Sequence, residues 1–160
     1  MNTTVTLDLL DQWHRTLAMV RSTIELFDDA QWRAGLNWFH TPARVAYHLV
    51  ESLDVYFVVA RDGRELVRGA RFGGTWPELS DEDLPAQDEI LAYLDEVQAR
   101  MEAEFAALYD EQLAAPFDVY PWSGSTRLGH YVYAQRHTMH HQGGLAVLAA
   151  HHGHGEDNWR

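Results

Sequence analysis

The sequence predicts an all-α protein, and more specifically an antiparallel four-helix bundle. Apolar residues recur at intervals of three and four in four segments of roughly 20 residues each, and prolines and glycines concentrate between those segments. With 160 residues, 46% of them hydrophobic, the chain is long enough to bury one complete core. We therefore assign residues 1–150 to one bundle domain and residues 151–160, which are rich in histidine, to a flexible tail.

The first two helices are marked by an apolar stripe and by start signals. The first helix is expected to end at Asp28 and Asp29. The second is predicted to begin with Thr41 as its N-cap and Pro42 at its first position, where a missing N–H group costs nothing, and to run to about Ala60. The stripe of the first helix consists of Leu10, Trp13, Leu17, Val20, Ile24 and Phe27.

Residues 61–85 contain four glycines and two prolines, which is too many for a long helix, so an ordered loop is expected there. The third helix follows that loop and is expected to end near Leu113. The fourth helix, with Thr126 as its N-cap, is predicted to extend from Leu128 to about Ala150.

Composition and charge exclude several classes of function. Lysine and arginine number 12 against 24 acidic residues, for a formal net charge of −12. Such a chain repels phosphate backbones and anionic lipids, so neither nucleic acid nor membrane is an expected partner. The absence of lysine and cysteine excludes Schiff-base chemistry, thiolate nucleophiles and disulfides. Because there is no signal-peptide pattern and no run of about 18 apolar residues, we expect a cytoplasmic protein.

Two histidines of the fourth helix, His137 and His141, are four residues apart. Their β-carbons are therefore roughly 5–6 Å apart, which allows both rings to bind one ion about 2.0–2.1 Å away. His130 falls on the same apolar face and is a candidate for the surrounding pocket, whereas His140 lies roughly 60° away and is not an expected ligand. The pair could instead serve as hydrogen-bonded core or surface imidazoles.

A third ligand could come from His48 in the second helix. This residue lies between a polar edge and an apolar arc, so periodicity leaves its orientation open. If it faces the interior, His48, His137 and His141 form a three-nitrogen site with positions left for water, the pattern of catalytic rather than structural metal sites. Glu51, one turn away, would then accept a hydrogen bond that orients the His48 ring, and Tyr56 is a further pocket candidate.

Gly143 and Gly144 lie inside the fourth helix, where each glycine costs about 1 kcal/mol relative to alanine. We expect close approach of another backbone to offset this loss, either from a neighbouring helix or from a second subunit. A flexible helix end is the alternative.

Two segments carry a family resemblance. One is residues 38–49, Trp-Phe-His-Thr-Pro-Ala-Arg-Val-Ala-Tyr-His-Leu; the other combines residues 128–130, Leu-Gly-His, with residues 137–145, which begin His-Thr-Met-His-His. On these residues the chain resembles the DinB-like (DinB/YfiT) superfamily of metal-binding four-helix-bundle proteins, over nearly its whole length. In the last helix the family pattern commonly continues His-Arg-Gly-Gln-Leu, from which Gln142 and Gly144 depart.

The resemblance implies that His48, His137 and His141 hold one divalent ion. Zinc or nickel suits imidazole ligands best, with iron and manganese as alternatives. Similar proteins include metal-dependent transferases and isomerases that use low-molecular-weight thiols such as bacillithiol or mycothiol, and also hydrolases. The resemblance and the glycine pair further imply a homodimer.

The resulting hypothesis is a metal-dependent thiol S-transferase or hydrolase that acts on a small electrophilic molecule, with its catalytic residues unidentified. The alternative is a non-catalytic, stress-related dimeric protein in which the ion ties two helices together.

Overall fold

The protein is built from helices throughout the part that the computed structural model describes, residues 4–62 and 66–155. Six α-helices occur in these ranges, with a short 3-10 turn at Pro121–Ser123 and no β-strand, so the predicted all-α class is confirmed. No helix within the same ranges is long and apolar enough to cross a membrane. The helices are α1 (Thr4–Ile24), α2 (Asp29–Arg33), α3 (Pro42–Asp62), α4 (Gln87–Ala106), α5 (Asp110–Leu113) and α6 (Arg127–His151).

The four long helices form a bundle in which α1 and α3 each pack against both α4 and α6. Side-chain contacts establish two antiparallel pairs, α1 with α4 and α3 with α6, because the residue number rises along one helix as it falls along the other. These contacts are His14–Glu102 and Ile24–Gln87 in the first pair, and His48–His141 and Tyr56–His130 in the second.

The neighbouring helices α1 and α6 run in the same direction. Gln135 donates to Thr16 at 3.1 Å and Gln142 donates to Thr23 at 3.2 Å, so both numbers rise together. The antiparallel arrangement therefore holds within the two pairs, and a long connection between α3 and α4 allows this order.

The core lies between the four long helices and is filled mainly by large apolar side chains. Burying each such side chain contributes roughly 1.5–3 kcal/mol relative to leaving it exposed. The largest fully buried members include Trp13, Leu17, Ile24, Tyr47, Leu49, Leu53, Ile90, Leu94, Met101, Phe105 and Tyr131.

Both predicted N-caps are confirmed. The Thr41 hydroxyl oxygen accepts from the Arg44 N–H at 3.3 Å, and that of Thr126 accepts from the Gly129 N–H at 3.1 Å. These bonds satisfy backbone donors that the first turn of a helix leaves without a partner. They fix the starts of α3 and α6, the two helices that carry the candidate site.

Two predicted helix ends are wrong. The first helix ends at Ile24, and Asp28 is the N-cap of the additional helix α2, because its carboxylate accepts from the Gln31 N–H at 2.8 Å in a capping box. The third helix ends at Ala106, and the predicted end at Leu113 belongs to the separate helix α5.

The connection before α4 is ordered over residues 66–85, as predicted, while residues 63–65 lie outside the described ranges. The guanidinium of Arg44, which is buried on α3, donates to the carbonyl oxygens of Trp76 and Leu79 and pairs with Asp81 at 2.6 Å. The Trp32 indole N–H donates to the Pro85 carbonyl at 3.0 Å. The loop is therefore held against one side of α3.

The histidines after α6 have partners that the sequence did not predict. The His152 Nε2 atom lies 2.9 Å from the Ala34 carbonyl oxygen, and the His154 Nε2 atom lies 2.8 Å from a side-chain oxygen of Gln31. Residues 156–160 lie outside the described ranges, so a flexible tail stays a prediction.

Candidate metal centre

Three histidines from two helices come together in the groove between α3 and α6. One nitrogen of each of His48, His137 and His141 lies within 4.8 Å of the other two. The Nε2 atoms of His48 and His141 are 3.1 Å apart. Nitrogen ligands about 2.1 Å from one ion, at tetrahedral or octahedral angles, lie roughly 3.0–3.4 Å from each other. The cluster therefore has the donor atoms and nearly the spacing that a divalent ion requires.

The three rings are neutral at physiological pH. Burial lowers the pKa of His48 to about 3, and its two partner histidines add to the effect. Burial likewise lowers the pKa of His137 to about 4 and that of His141 to about 4, with a contribution from His140 to both. Because a metal ligand must offer an unprotonated nitrogen, these rings meet that requirement without first losing a proton.

The orientation of His48, which the sequence left open, is toward α6. Its ring packs against those of His137 and His141, with centroid separations of 5.3 and 4.4 Å. On the other side of the ring, Nδ1 lies 3.5 Å from the hydroxyl oxygen of Ser52, a buried residue one turn further along α3. A proton on Nδ1 facing Ser52 leaves the Nε2 lone pair directed at the cluster.

Glu51 does not orient the His48 ring, contrary to the prediction. It is buried and engaged elsewhere: its Oε1 accepts from the Gly69 N–H at 2.6 Å. The same oxygen lies 3.3 Å from the Tyr47 hydroxyl, which donates its proton over a shorter distance, 2.9 Å, to the Gly74 carbonyl. Its Oε2 lies 3.9 Å from the Arg68 guanidinium. A residue three positions along a helix is rotated about 60° from the first, and this rotation turns Glu51 toward the loop.

Tyr56 lies beside the cluster, as expected of a pocket residue. Its ring meets that of His137 edge to face, with centroids 5.5 Å apart. Burial raises the pKa of the Tyr56 phenol above its ordinary value, and a hydrogen bond with Tyr133 adds to the shift. Tyr56 therefore keeps its proton at neutral pH and can only act as a hydrogen-bond donor or as an acceptor in its neutral form.

His130 shares the face of α6 with the cluster but stands outside it. Its Nε2 lies 3.0 Å from the Tyr56 carbonyl oxygen and its Nδ1 lies 3.0 Å from the Ser123 hydroxyl. Both ring nitrogens thus have protein partners, and burial lowers the pKa of His130. It is a hydrogen-bonded core histidine that supports Tyr56.

The rim of the cluster includes residues that sequence reasoning missed or set aside. Trp76, from the loop before α4, packs on His48 with ring centroids 4.7 Å apart. His140 is exposed and its ring lies 5.0 Å from that of His141, outside the cluster. The spacing of residues along α6 predicts that His140 lies outside the cluster. No local pattern in the sequence links Trp76 to His48.

A cavity of about 540 Å³ adjoins the cluster, and His141 forms part of its wall. Gly143 and Gly144 line the same cavity. A β-carbon added to either glycine would have nothing within 4 Å. The prediction that a neighbouring helix approaches these glycines closely is therefore wrong within this chain, and contact with a second subunit stays a prediction.

With this geometry established, comparison with known proteins identifies the family. A sequence model of the DinB superfamily matches residues 12–145. The chain belongs to the DinB superfamily. This confirms the resemblance inferred from residues 38–49 and 137–145, and family membership together with the histidine cluster supports metal binding by this DinB-superfamily protein.

One solved structure similar to this DinB-superfamily chain is a conserved protein from Enterococcus faecalis. The two are 16% identical, with a TM-score of 0.63, and the match covers 93% of this chain and 96% of the other. At that identity the similarity shows the fold alone. No curated protein matches the sequence.

Proposed function

We propose that this protein is a divalent-metal-dependent enzyme in which His48, His137 and His141 bind one ion that activates a low-molecular-weight thiol or water against a small electrophile. The observation that carries the proposal is the convergence of three neutral imidazoles, without a fourth residue in the cluster, among the described residues. Three protein ligands leave coordination positions for a substrate, as in catalytic sites, whereas structural sites are usually closed by four.

A divalent ion held there would act as a Lewis acid that lowers the pKa of a bound thiol or water into the neutral range. Zinc and nickel are the metals that best suit three imidazoles, and iron and manganese are the alternatives. The residues of the chain position the ligands: Ser52 lies beside Nδ1 of His48, which leaves Nε2 facing the cluster, and the Trp76 ring packs at a tilt against the same imidazole.

Tyr56 is the first candidate for a catalytic role. Its phenol is protonated at neutral pH, since the ordinary pKa of tyrosine is about 10 and burial raises it further, and its ring contacts His137. A protonated phenol beside the cluster can donate a hydrogen bond to negative charge that develops on a reacting substrate.

The alternative is a non-catalytic, stress-related dimeric protein in which the ion joins α3 to α6. One observation favours it: among the described residues no carboxylate belongs to the cluster, and Glu51 accepts instead from the Gly69 N–H, so no general base is in place beside the three histidines. An ion that ties two helices together would stabilise the fold without turning over a substrate.

The test compares metal content per chain in the parent, in His48→Ala and in the control His140→Ala, by elemental analysis after dialysis. We expect His48→Ala to bind about one ion fewer than the parent and His140→Ala to match the parent, because His140 lies outside the cluster. Any metal bound by the histidines of the tail is the same in all three proteins, so it does not affect the difference in metal content between them. Equal metal content in all three would contradict the proposal.

The enzyme and the alternative are separated by a second measurement on the metal-loaded parent. We expect it to consume bacillithiol or mycothiol, or to hydrolyse the substrate, when small electrophiles are supplied, and His48→Ala to lose that activity. A parent that gains thermal stability on metal loading but turns over none of them would favour the non-catalytic alternative.

A further inference from the structure

The groove between α3 and α6 contains a second feature beside the histidine cluster, the cavity of about 540 Å³. Sites for small molecules commonly have volumes of roughly 300–1,000 Å³. On the basis of the function proposed above, we propose that this cavity binds an uncharged apolar group of the substrate, aliphatic or aromatic, while the reacting atom of the same molecule is held at the cluster.

The cavity and the cluster are joined through both helices. On α3, Val45 lines the cavity and His48 belongs to the cluster; on α6, Gly144 lines the cavity and His141 belongs to both. The two members of each pair are three positions apart in the sequence, which places them side by side on the surface of their helix. A molecule in the cavity therefore reaches the cluster along the groove without crossing a helix.

The walls favour an apolar occupant. Most of the lining side chains are hydrocarbon, and none of the described residues that line the cavity carries a carboxylate or a guanidinium. An ionised group would find no counter-charge there, and its desolvation would oppose binding. The apolar lining consists of Leu36, Phe39, Val45, Val147 and Leu148.

Part of the polar lining, from the loop before α3, is hydrogen-bonded within that loop. The side-chain oxygen of Asn37 accepts from the backbone N–H groups of Phe39 and His40, at 3.0 and 3.1 Å. The same oxygen lies 3.0 Å from Nδ1 of His40. These groups bind each other, and the other polar side chains of the lining are the imidazoles of His140 and His141 on the side of the cluster.

Gly143 and Gly144 leave open space in the cavity, and the fold does not require glycine at either position. Glycine within a helix costs stability relative to alanine, and the protein would accept a β-carbon at either position without a contact inside 4 Å. By contrast, a β-carbon at Gly35 would lie 1.8 Å from the His40 carbonyl oxygen, so the fold itself requires glycine there. The fold has no such requirement at Gly143 and Gly144, where the missing side chains leave room beside His141.

The test uses the cobalt-loaded full chain and a series of thiols, ethanethiol, butanethiol and hexanethiol, as probes of increasing apolar length. The readout is the sulfur-to-cobalt charge-transfer absorption, which must arise from the added thiol because the chain contains no cysteine. Variants are Gly144→Leu and Gly143→Leu, which fill the cavity, and Ala150→Leu, an exposed control on the same helix.

In the parent, we expect affinity to rise about fourfold per methylene group that the cavity buries. In Gly144→Leu or Gly143→Leu, ethanethiol should still produce the absorption band, while most of the gain from ethanethiol to hexanethiol should disappear. Ala150→Leu should retain the whole gain. Melting temperatures no lower than that of the parent would confirm that the glycine variants are folded.

Each of the following outcomes would overturn the inference. Equal affinity for all three thiols in the parent, or an undiminished gain in both glycine variants, would place the apolar group elsewhere while leaving the proposed function standing. A dimeric parent that becomes monomeric in Gly144→Leu, measured by light scattering, would assign the cavity to a second copy of the chain. Failure of the parent to bind cobalt would instead refute the proposed function and this inference with it. Cobalt binding without a band for any thiol would refute this inference and the thiol branch of the proposed function, and would leave activation of water.

Discussion

The Nε2 atoms of His48 and His141 lie 3.1 Å apart although 93 residues separate them along the chain. Two neutral imidazoles at this distance can share one N–H···N hydrogen bond, which uses the proton of one ring and the lone pair of the other. An ion between them requires both lone pairs. Metal binding therefore selects the tautomer in which His48 carries its proton on Nδ1, facing Ser52.

The contact between Ser52 and His48 leads to a prediction about metal affinity. Ser52→Ala should weaken metal binding roughly tenfold, because removal of a group that orients a ligating histidine typically costs about 10–100-fold and this contact is long, at 3.5 Å. Competition with a coloured chelator would measure the change. Ser22→Ala on α1 is the matched control, and an unchanged affinity in Ser52→Ala would contradict the assigned tautomer.

Glycine substitutions should have opposite effects at two positions. Gly143→Ala should raise the free energy of unfolding by about 0.5–1 kcal/mol, because alanine is the better helix former and its β-carbon has free space. Gly35→Ala should lower it by about 1–3 kcal/mol, because its β-carbon would overlap the His40 carbonyl. Urea unfolding measures both changes, and destabilisation by Gly143→Ala would show that the fold uses this glycine after all.

A buried hydrogen bond between α3 and α4 provides a test of the bundle itself. The Tyr93 hydroxyl donates to Asp54 at 2.7 Å, and the other oxygen of that carboxylate lies 2.9 Å from the Arg100 guanidinium. Tyr93→Phe should lower the free energy of unfolding by about 1–3 kcal/mol, because a buried carboxylate oxygen loses its donor. Tyr109→Phe, at an exposed position, should change it by less than about 0.5 kcal/mol; a similar loss in both variants would argue against this hydrogen bond.

The pH dependence of stability should include a contribution from His130. Burial holds its pKa in the folded protein below the ordinary value, which is about 6.5 in an unfolded chain. Below that pH the unfolded state binds the proton more readily, so stability is full above about pH 6.5 and falls as the pH drops toward the folded-state pKa, by at most about 1.4 kcal/mol per pH unit.

The corresponding experiment measures unfolding of the metal-free parent and of His130→Gln at about pH 7.5 and 5.5. The variant starts from a lower stability but should lose less of it on acidification, and the other histidines contribute equally in both proteins. An equal loss in His130→Gln would contradict this contribution.

Local sequence patterns were sufficient to predict the long helices and the half of the candidate site that lies on α6. The N-caps Thr41 and Thr126 were predicted because capping depends on residues within one turn. The pairing of His137 with His141 was predicted for the same reason, since their spacing along one helix determines their distance. The boundary at Asp28 was missed because the same residue type can follow one helix and begin the next.

The other half of the site depended on contacts between distant segments. His48 lay at the edge of the apolar arc, and only the packing of α3 against α6 determined its direction. Trp76 reaches His48 from a loop whose path is set by Arg44, and neither residue has a local pattern that indicates this role. Glu51 was a reasonable partner by spacing, yet the loop provides it with stronger bonds.

The sequence by itself determined the helical class, the positions of the four long helices and the chelating pair on α6, because each of these depends on periodicity within about 20 residues. Only the tertiary structure decided that His48 completes the cluster, that Ser52 rather than Glu51 faces its ring, and that Gly143 and Gly144 border an open cavity. The physical reason is that these features depend on how side chains of separate helices share the same volume, which a pattern along one helix does not specify.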